Sequence, residues 1–155
     1  MQDNNTENQS LQGGMGLITR YHPFHELIGM TVEPLDNDSF CLKFAMRDDL
    51  CGYPGGGILY GGVIAAVIDI IGGVTVSWSR IKDVKEQPLQ EQVKRLKNIG
   101  TVDLRVDYLR PGKGKEFTVT SSIIRTGKSI VVTRMELHNE EQRLIAVGTG
   151  TYMVS

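Results

Sequence analysis

A chain of 155 residues that is 40% apolar and 23% charged suits one domain with a closed core, not a string of modules. Its formal charge of -1 offers no footprint for nucleic acid or for an acidic membrane surface. Two cysteines, Cys41 and Cys51, fit neither a disulfide framework nor a zinc spacing and read as reduced thiols of a cytoplasmic protein.

Residues 1–14, MQDNNTENQSLQGG, are polar and acidic and lack the basic and apolar regions of a signal peptide. They read as a flexible leader before a single domain over residues 15–155. Next, LITRYHPFHELI predicts a short helix over residues 17–28, broken at Pro23. SFCLKFAM sets Phe40, Leu42, Phe44 and Met46 on one side of a half-buried strand, and MTVEPLD pairs with it across Asn37. RDDLCGYPGGG, with a proline and three glycines, is loop.

From Ile58 onward the run GGGILYGGVIAAVIDIIGGVTVSW, residues 55–78, is nearly all apolar yet carries one carboxylate, Asp69. The stretch 58–78 approaches the ~20 residues of a membrane span. The central acid, costing about 2.5–3.5 kcal/mol on insertion, and the four glycines of that stretch argue instead for a buried helix in a soluble core. PLQEQVKRLKNI follows, with Leu89, Val93 and Leu96 at helical spacing and Pro88 at the first turn of a surface helix.

After Gly100 the pattern is all strand. TVDLRVDYL alternates Val102, Leu104, Val106 and Tyr108 against Thr101, Asp103, Arg105 and Asp107. EFTVTSSII, SIVVTRMELH and RLIAVGTGTYMV follow, divided by the turns RTGK and NEEQ. Consecutive strands with short turns give an antiparallel sheet. With one apolar face, that sheet wraps the helix that is apolar all round, an α+β arrangement.

LYGGVIAAVID, residues 59–69, together with VDYLRPG, residues 106–112, resembles the hotdog-fold thioesterase superfamily. Within it the likeness is to the PaaI-like acyl-CoA thioesterases, and especially to the YigI type acting on medium and long acyl chains. It covers residues 21–154. The family pattern places histidine before the glycine pair; this chain has Tyr60 there. The resemblance implies an antiparallel sheet around a central helix, active sites at a homodimer interface, no cofactor, and a further pairing of dimers. It also aligns Thr101 with a hydroxyl that positions water in some relatives.

Thioester hydrolysis needs a polarised carbonyl and an activated water. Free amides of Gly61 and Gly62 at the start of the apolar helix would form a positive site for an oxyanion, and bare glycines admit the carbonyl. The same pair would also serve a tight loop-to-helix turn. Asp69, seven residues past Gly62, would be the base for water, or a nucleophile giving a mixed anhydride; its alternative role is a carboxylate paired inside an interface. The two groups stand about 10 Å apart along one helix, too far to act on one carbon. Two copies with antiparallel helices would set Gly62 of one against Asp69 of the other.

Coenzyme A carries phosphates, and basic turns supply Arg110, Lys113, Lys115, Arg125 and Lys128; the family's binding turns fall at Arg110, Lys113 and Lys128. Tyr60 and Gly61 complete the expected substrate contacts. His22 and His25 lack a third ligand for a metal, and phosphate-loop, dinucleotide and nucleophile-elbow sequences are absent. Two other readings stay open. One is a non-catalytic acyl-CoA-binding hotdog protein, with Tyr60 marking lost chemistry. The other is a hydratase or dehydratase, which calls for a histidine that the buried helix does not offer.

Overall fold

The computed structural model describes residue 18, residues 22–35 and residues 39–155; the leader expected over residues 1–14 lies outside them. Helix α1, Pro23–Ile28, leads into strands β1, Thr31–Pro34, and β2, Phe40–Ala45. A 3-10 turn over Asp48–Leu50 precedes the long helix α2, Gly61–Ile81, and a second such turn, Lys82–Val84, leads to α3, Leu89–Leu96. Strands β3, Gly100–Tyr108, β4, Glu116–Thr126, β5, Ile130–Asn139, and β6, Leu144–Met153, complete the chain. All six strands form one antiparallel sheet in the order β1-β2-β4-β5-β6-β3, curled around α2 as a hotdog fold.

Composition alone would make α2 a poor helix, because valine, isoleucine and two glycine pairs all disfavour it. Packing supplies what propensity lacks. Ile64, Val67, Ile68, Ile71 and Val74 lie against Phe40, Leu42, Phe117, Val119 and Met135 of the sheet, each nearly sealed from solvent. Each such side chain contributes roughly 1.5–3 kcal/mol when buried. Trp78 closes the far end edge-on against Phe40, ring centroids 5.4 Å apart. Length and hydropathy would let Gly61–Val84 cross a bilayer, but half of that window is buried inside the protein. It is a core helix.

Four details refine the sequence pattern. The break expected at Pro23 is present: Ile18 is helical, His22 is not, and α1 opens at Pro23, where a residue without an N–H fits the first helical position. The helix ends at Gly29, φ 72°, with Arg47 donating to the carbonyls of Ile28 at 2.7 Å and Leu27 at 2.8 Å. Helix α2 starts three residues later than the apolar run, since Leu59 bridges to Cys51 and donates to the Gly112 carbonyl at 3.0 Å. In α3 the buried residue is Gln92, whose amide caps the carbonyls of Lys85 and Gln87, while Leu89 and Val93 stay largely exposed.

The fourth is in β3. A bulge between Thr101 and Asp103 leaves Val102 unpaired and 60% exposed. The extra residue swaps the phase of the strand. Thr101 therefore faces the helix together with Leu104, Val106 and Tyr108, not outward with Asp103 as simple alternation expects.

Candidate active site

Asp69 sits half-buried near the middle of α2, on the side of the helix turned toward β3 and β6. Two strand residues converge on it. Thr101 Oγ1 donates to Asp69 Oδ1 at 2.9 Å, and the Tyr152 hydroxyl reaches the same Oδ1 at 3.1 Å and the Asp69 carbonyl at 3.0 Å. Thr101 and Tyr152 are cross-strand partners, which is why both arrive at one oxygen. Tyr152 is 1% exposed. Burial, and then the neighbouring Asp69 carboxylate, push its hydroxyl well above the usual phenol range, so it stays a donor through neutral pH. Asp69 Oδ2 accepts no hydrogen bond among the described residues.

The carboxylate opens on a cleft of about 520 Å³. Phe24 and His25 of α1, Ile70 and Val74 of α2, and Val93 and Leu96 of α3 form its walls. The exposed apolar row of α3 thus has a place: it faces this cleft rather than the core.

At the other end of the axis, α2 begins with Gly61 and Gly62. The Tyr60 carbonyl takes the N–H groups of Val63, 3.0 Å, and Ile64, 3.2 Å, so the amides of Gly61 and Gly62 are left without a helical acceptor. No acid lies in this first turn to compete for the positive end of the dipole. Tyr60 caps the helix without a side-chain hydrogen bond and is 61% exposed. Its ring lies over Gly62, where an added Cβ would come within 3.0 Å of Tyr60 Cε1. Tyr108 fixes the turn from β3, its hydroxyl donating to the Gly61 carbonyl at 2.9 Å.

Among the basic residues, Arg110 and Lys113 belong to the loop that supports this N-terminus, through the Gly112 carbonyl. Arg110 Nη1 donates to the Leu144 carbonyl at 2.8 Å, and Lys113 is exposed. Lys128 lies at the opposite end of the sheet, exposed on the β4–β5 turn, next to Ser129, whose carbonyl accepts from the Val154 amide at 3.0 Å. The structure brings Asp69 and Thr101 together and groups Tyr60, Gly61, Gly62, Arg110 and Lys113 at a separate place. Within one chain these are two separate places along α2.

Sequence reasoning missed Tyr152 and Tyr108. For Tyr152 a signal was present in the second glycine pair. A Cβ on Gly72 would collide with the Tyr152 hydroxyl, so the glycine is the opening through which the phenol reaches the helix backbone.

Comparison with known proteins places this geometry in a family. The model of the thioesterase superfamily matches residues 56–146, from the loop before α2 through the start of β6. The chain is 44% identical over 144 residues to the medium/long-chain acyl-CoA thioesterase YigI of Escherichia coli K12, covering 90% of this chain and 91% of that protein. A crystal structure of a Shewanella oneidensis protein related to the thioesterase superfamily superposes with a TM-score of 0.85 at 40% identity, over 99% of this chain and 100% of that one. The E. coli PaaI protein of the phenylacetic acid degradation operon, 14% identical with a TM-score of 0.73 over 95% of this chain and 94% of that one, shares the fold. Asp69 and Gly62 thus lie on a thioesterase scaffold, and the chain belongs to the thioesterase superfamily.

Proposed function

We propose that this protein is an acyl-CoA thioesterase that acts as a cytoplasmic homodimer, each site built from two chains. The observation that carries the reading is the carboxylate of Asp69, set at the mouth of an apolar cleft with one oxygen tied down and the other free. Asp69 takes a proton from water, and the hydroxide adds to the thioester carbonyl carbon. The amides of Gly61 and Gly62 from the second chain hold the resulting oxyanion. Collapse breaks the carbon–sulfur bond; the thiolate of coenzyme A leaves with the proton, and the acyl group leaves as the acid. Thr101 orients the carboxylate, and its hydroxyl lies where it can also touch the water.

Support for two chains comes from distance. Gly62 and Asp69 are seven residues apart on a straight helix, about 10 Å of rise, whereas reacting groups must lie within ~3–3.5 Å. A two-fold axis that runs two α2 helices antiparallel overcomes the gap twice over. The same operation sets Lys128 of one chain beside Arg110 and Lys113 of the other, making a basic rim for the nucleotide phosphates. Tyr60, exposed at that rim, packs against the substrate in place of the family's histidine. A second pairing of dimers is compatible with this site and contributes nothing to it.

The E. coli relative is named a medium/long-chain enzyme. Ile70, Val74, Val93 and Leu96 give this cleft the apolar lining that such an acyl chain needs. Thiol release measured across acyl-CoA lengths, with Asp69→Asn beside the native enzyme, tests the proposal. The expected result is turnover on medium and long chains that falls about 10²–10⁴-fold in the variant at unchanged melting temperature. Retained turnover in Asp69→Asn rejects the role of the base.

A further inference from the structure

We infer that Tyr152 is a positioning residue for hydrolysis: with Thr101 it holds Asp69 Oδ1 and leaves Oδ2 as the carboxylate oxygen free to take a proton from water. The inference rests on the reading of Asp69 as the base.

A carboxylate oxygen has two lone pairs, and at Oδ1 the Thr101 and Tyr152 hydroxyls occupy both. Oδ2 has no such partner among the described residues. Free rotation about the last side-chain bond would otherwise exchange the two oxygens and scatter the direction from which water is attacked. The carbonyl of Asp69 lies 3.0 Å from the same phenol oxygen, so its one O–H is shared between the side chain and the backbone of a single residue. That contact holds the carboxylate in register with the helix.

Several features serve this contact. Gly72, one turn beyond Asp69, leaves the space the hydroxyl fills. The bulge in β3 turns Thr101 to the face where Tyr152 stands opposite. Gly150, two residues before Tyr152, leaves room for its ring. A buried tyrosine serving only the core would need a single acceptor for its hydroxyl; this one is aimed at the one carboxylate of the helix. Among the described residues, the other titratable groups lining the cleft are His22 and His25; neither hydrogen-bonds Asp69 Oδ1.

The test is Tyr152→Phe, which keeps the ring and removes one oxygen. Loss of a hydrogen bond to a charged group lowers kcat about 10- to 100-fold, with KM for acyl-CoA changed by less than about twofold. Each kcat is taken per folded molecule, with the folded fraction read from a denaturant titration, so partial unfolding cannot imitate the loss. Thr101→Val and the double variant complete a cycle: because both hydroxyls share one oxygen, their effects on kcat are expected to be non-additive. A lower melting temperature with unchanged kcat assigns Tyr152 to the core and overturns the inference, as do additive effects. An inert Asp69→Asn beside a fully active Tyr152→Phe removes only the tyrosine's role, whereas an active Asp69→Asn removes the base as well.

Discussion

On the proposed mechanism, two demands meet at Gly62 that ordinary side chains cannot satisfy together. The residue must be helical, since it occupies the second position of α2, and its amide must be open to a substrate atom about the size of an oxygen. Alanine would satisfy the first demand and fail the second. A Cβ there would lie 3.0 Å from the Tyr60 ring, an exposed group able to swing aside, so the fold has room for it. Helix propensity favours alanine over glycine by up to about 1 kcal/mol. Gly62→Ala is therefore expected to unfold at equal or higher urea concentration than the native protein while kcat drops at least about tenfold, the signature of a group needed for chemistry and not for structure. A variant that loses stability and activity in proportion would place Gly62 in the turn alone. Gly72 makes the contrasting case. Its missing side chain accommodates a tyrosine of the same chain, and nothing in the local spacing announces which tyrosine.

Among the elements, α2 was legible because its signal is crude: a long apolar run with one acid near its middle, beside strands with one apolar face to cover, reads as a core helix. The hairpin of β1 with β2 and the antiparallel run from β4 to β6 followed from period-two alternation and short turns, but the strand order did not: pairing of consecutive strands would set β3 beside β4, whereas β3 lies at the β6 edge and β2 takes the place beside β4. The phase of β3 was not legible, because one bulged residue reverses the face of Thr101 without altering composition. Tyr152 escaped for a related reason: its contact with Asp69 depends on pairing with Thr101, 51 residues away, and long-range register is not written in either strand. The loop from β3 to β4 shows how such elements are tied. Both carboxylate oxygens of Glu140, in the β5–β6 turn, accept the Lys115 amide at 3.0 Å. The backbone amide of Lys115 holds the Glu140 carboxyl below the usual carboxylate range. A depressed folded-state value adds stability that is fully present above the unfolded value, near 4.3, and is lost as pH falls through the folded one. Glu140→Gln is thus expected to lower the urea midpoint at pH 7, with the native and variant midpoints converging as pH drops below about 4. Parallel curves down to pH 3 would show that the charge of Glu140 does not hold the loop.

For the whole molecule, the decisive question is whether the two half-sites belong to one reaction. Their separation along α2 admits a test that needs no structure of the dimer. Asp69→Asn removes the base and leaves the amides intact; Gly62→Val blocks the amides and leaves the base. Alone, each homodimer carries the same lesion in both sites and is expected to be inactive. Co-expressed in equal amounts, the chains pair at random and half of the dimers are mixed. In a mixed dimer one site holds both lesions, while the other combines Asp69 of the valine chain with Gly62 of the asparagine chain and is wholly native. About a quarter of all sites are then restored, and thiol release should return to about 25% of the native rate per site with an unchanged KM. The geometry forbids such recovery if catalysis uses groups of one chain only, because no site would then regain what its own chain lacks. Absence of recovery, with mixed dimers demonstrated by differential tagging, would separate Gly62 from Asp69 and leave the hotdog scaffold without its two-chain active site.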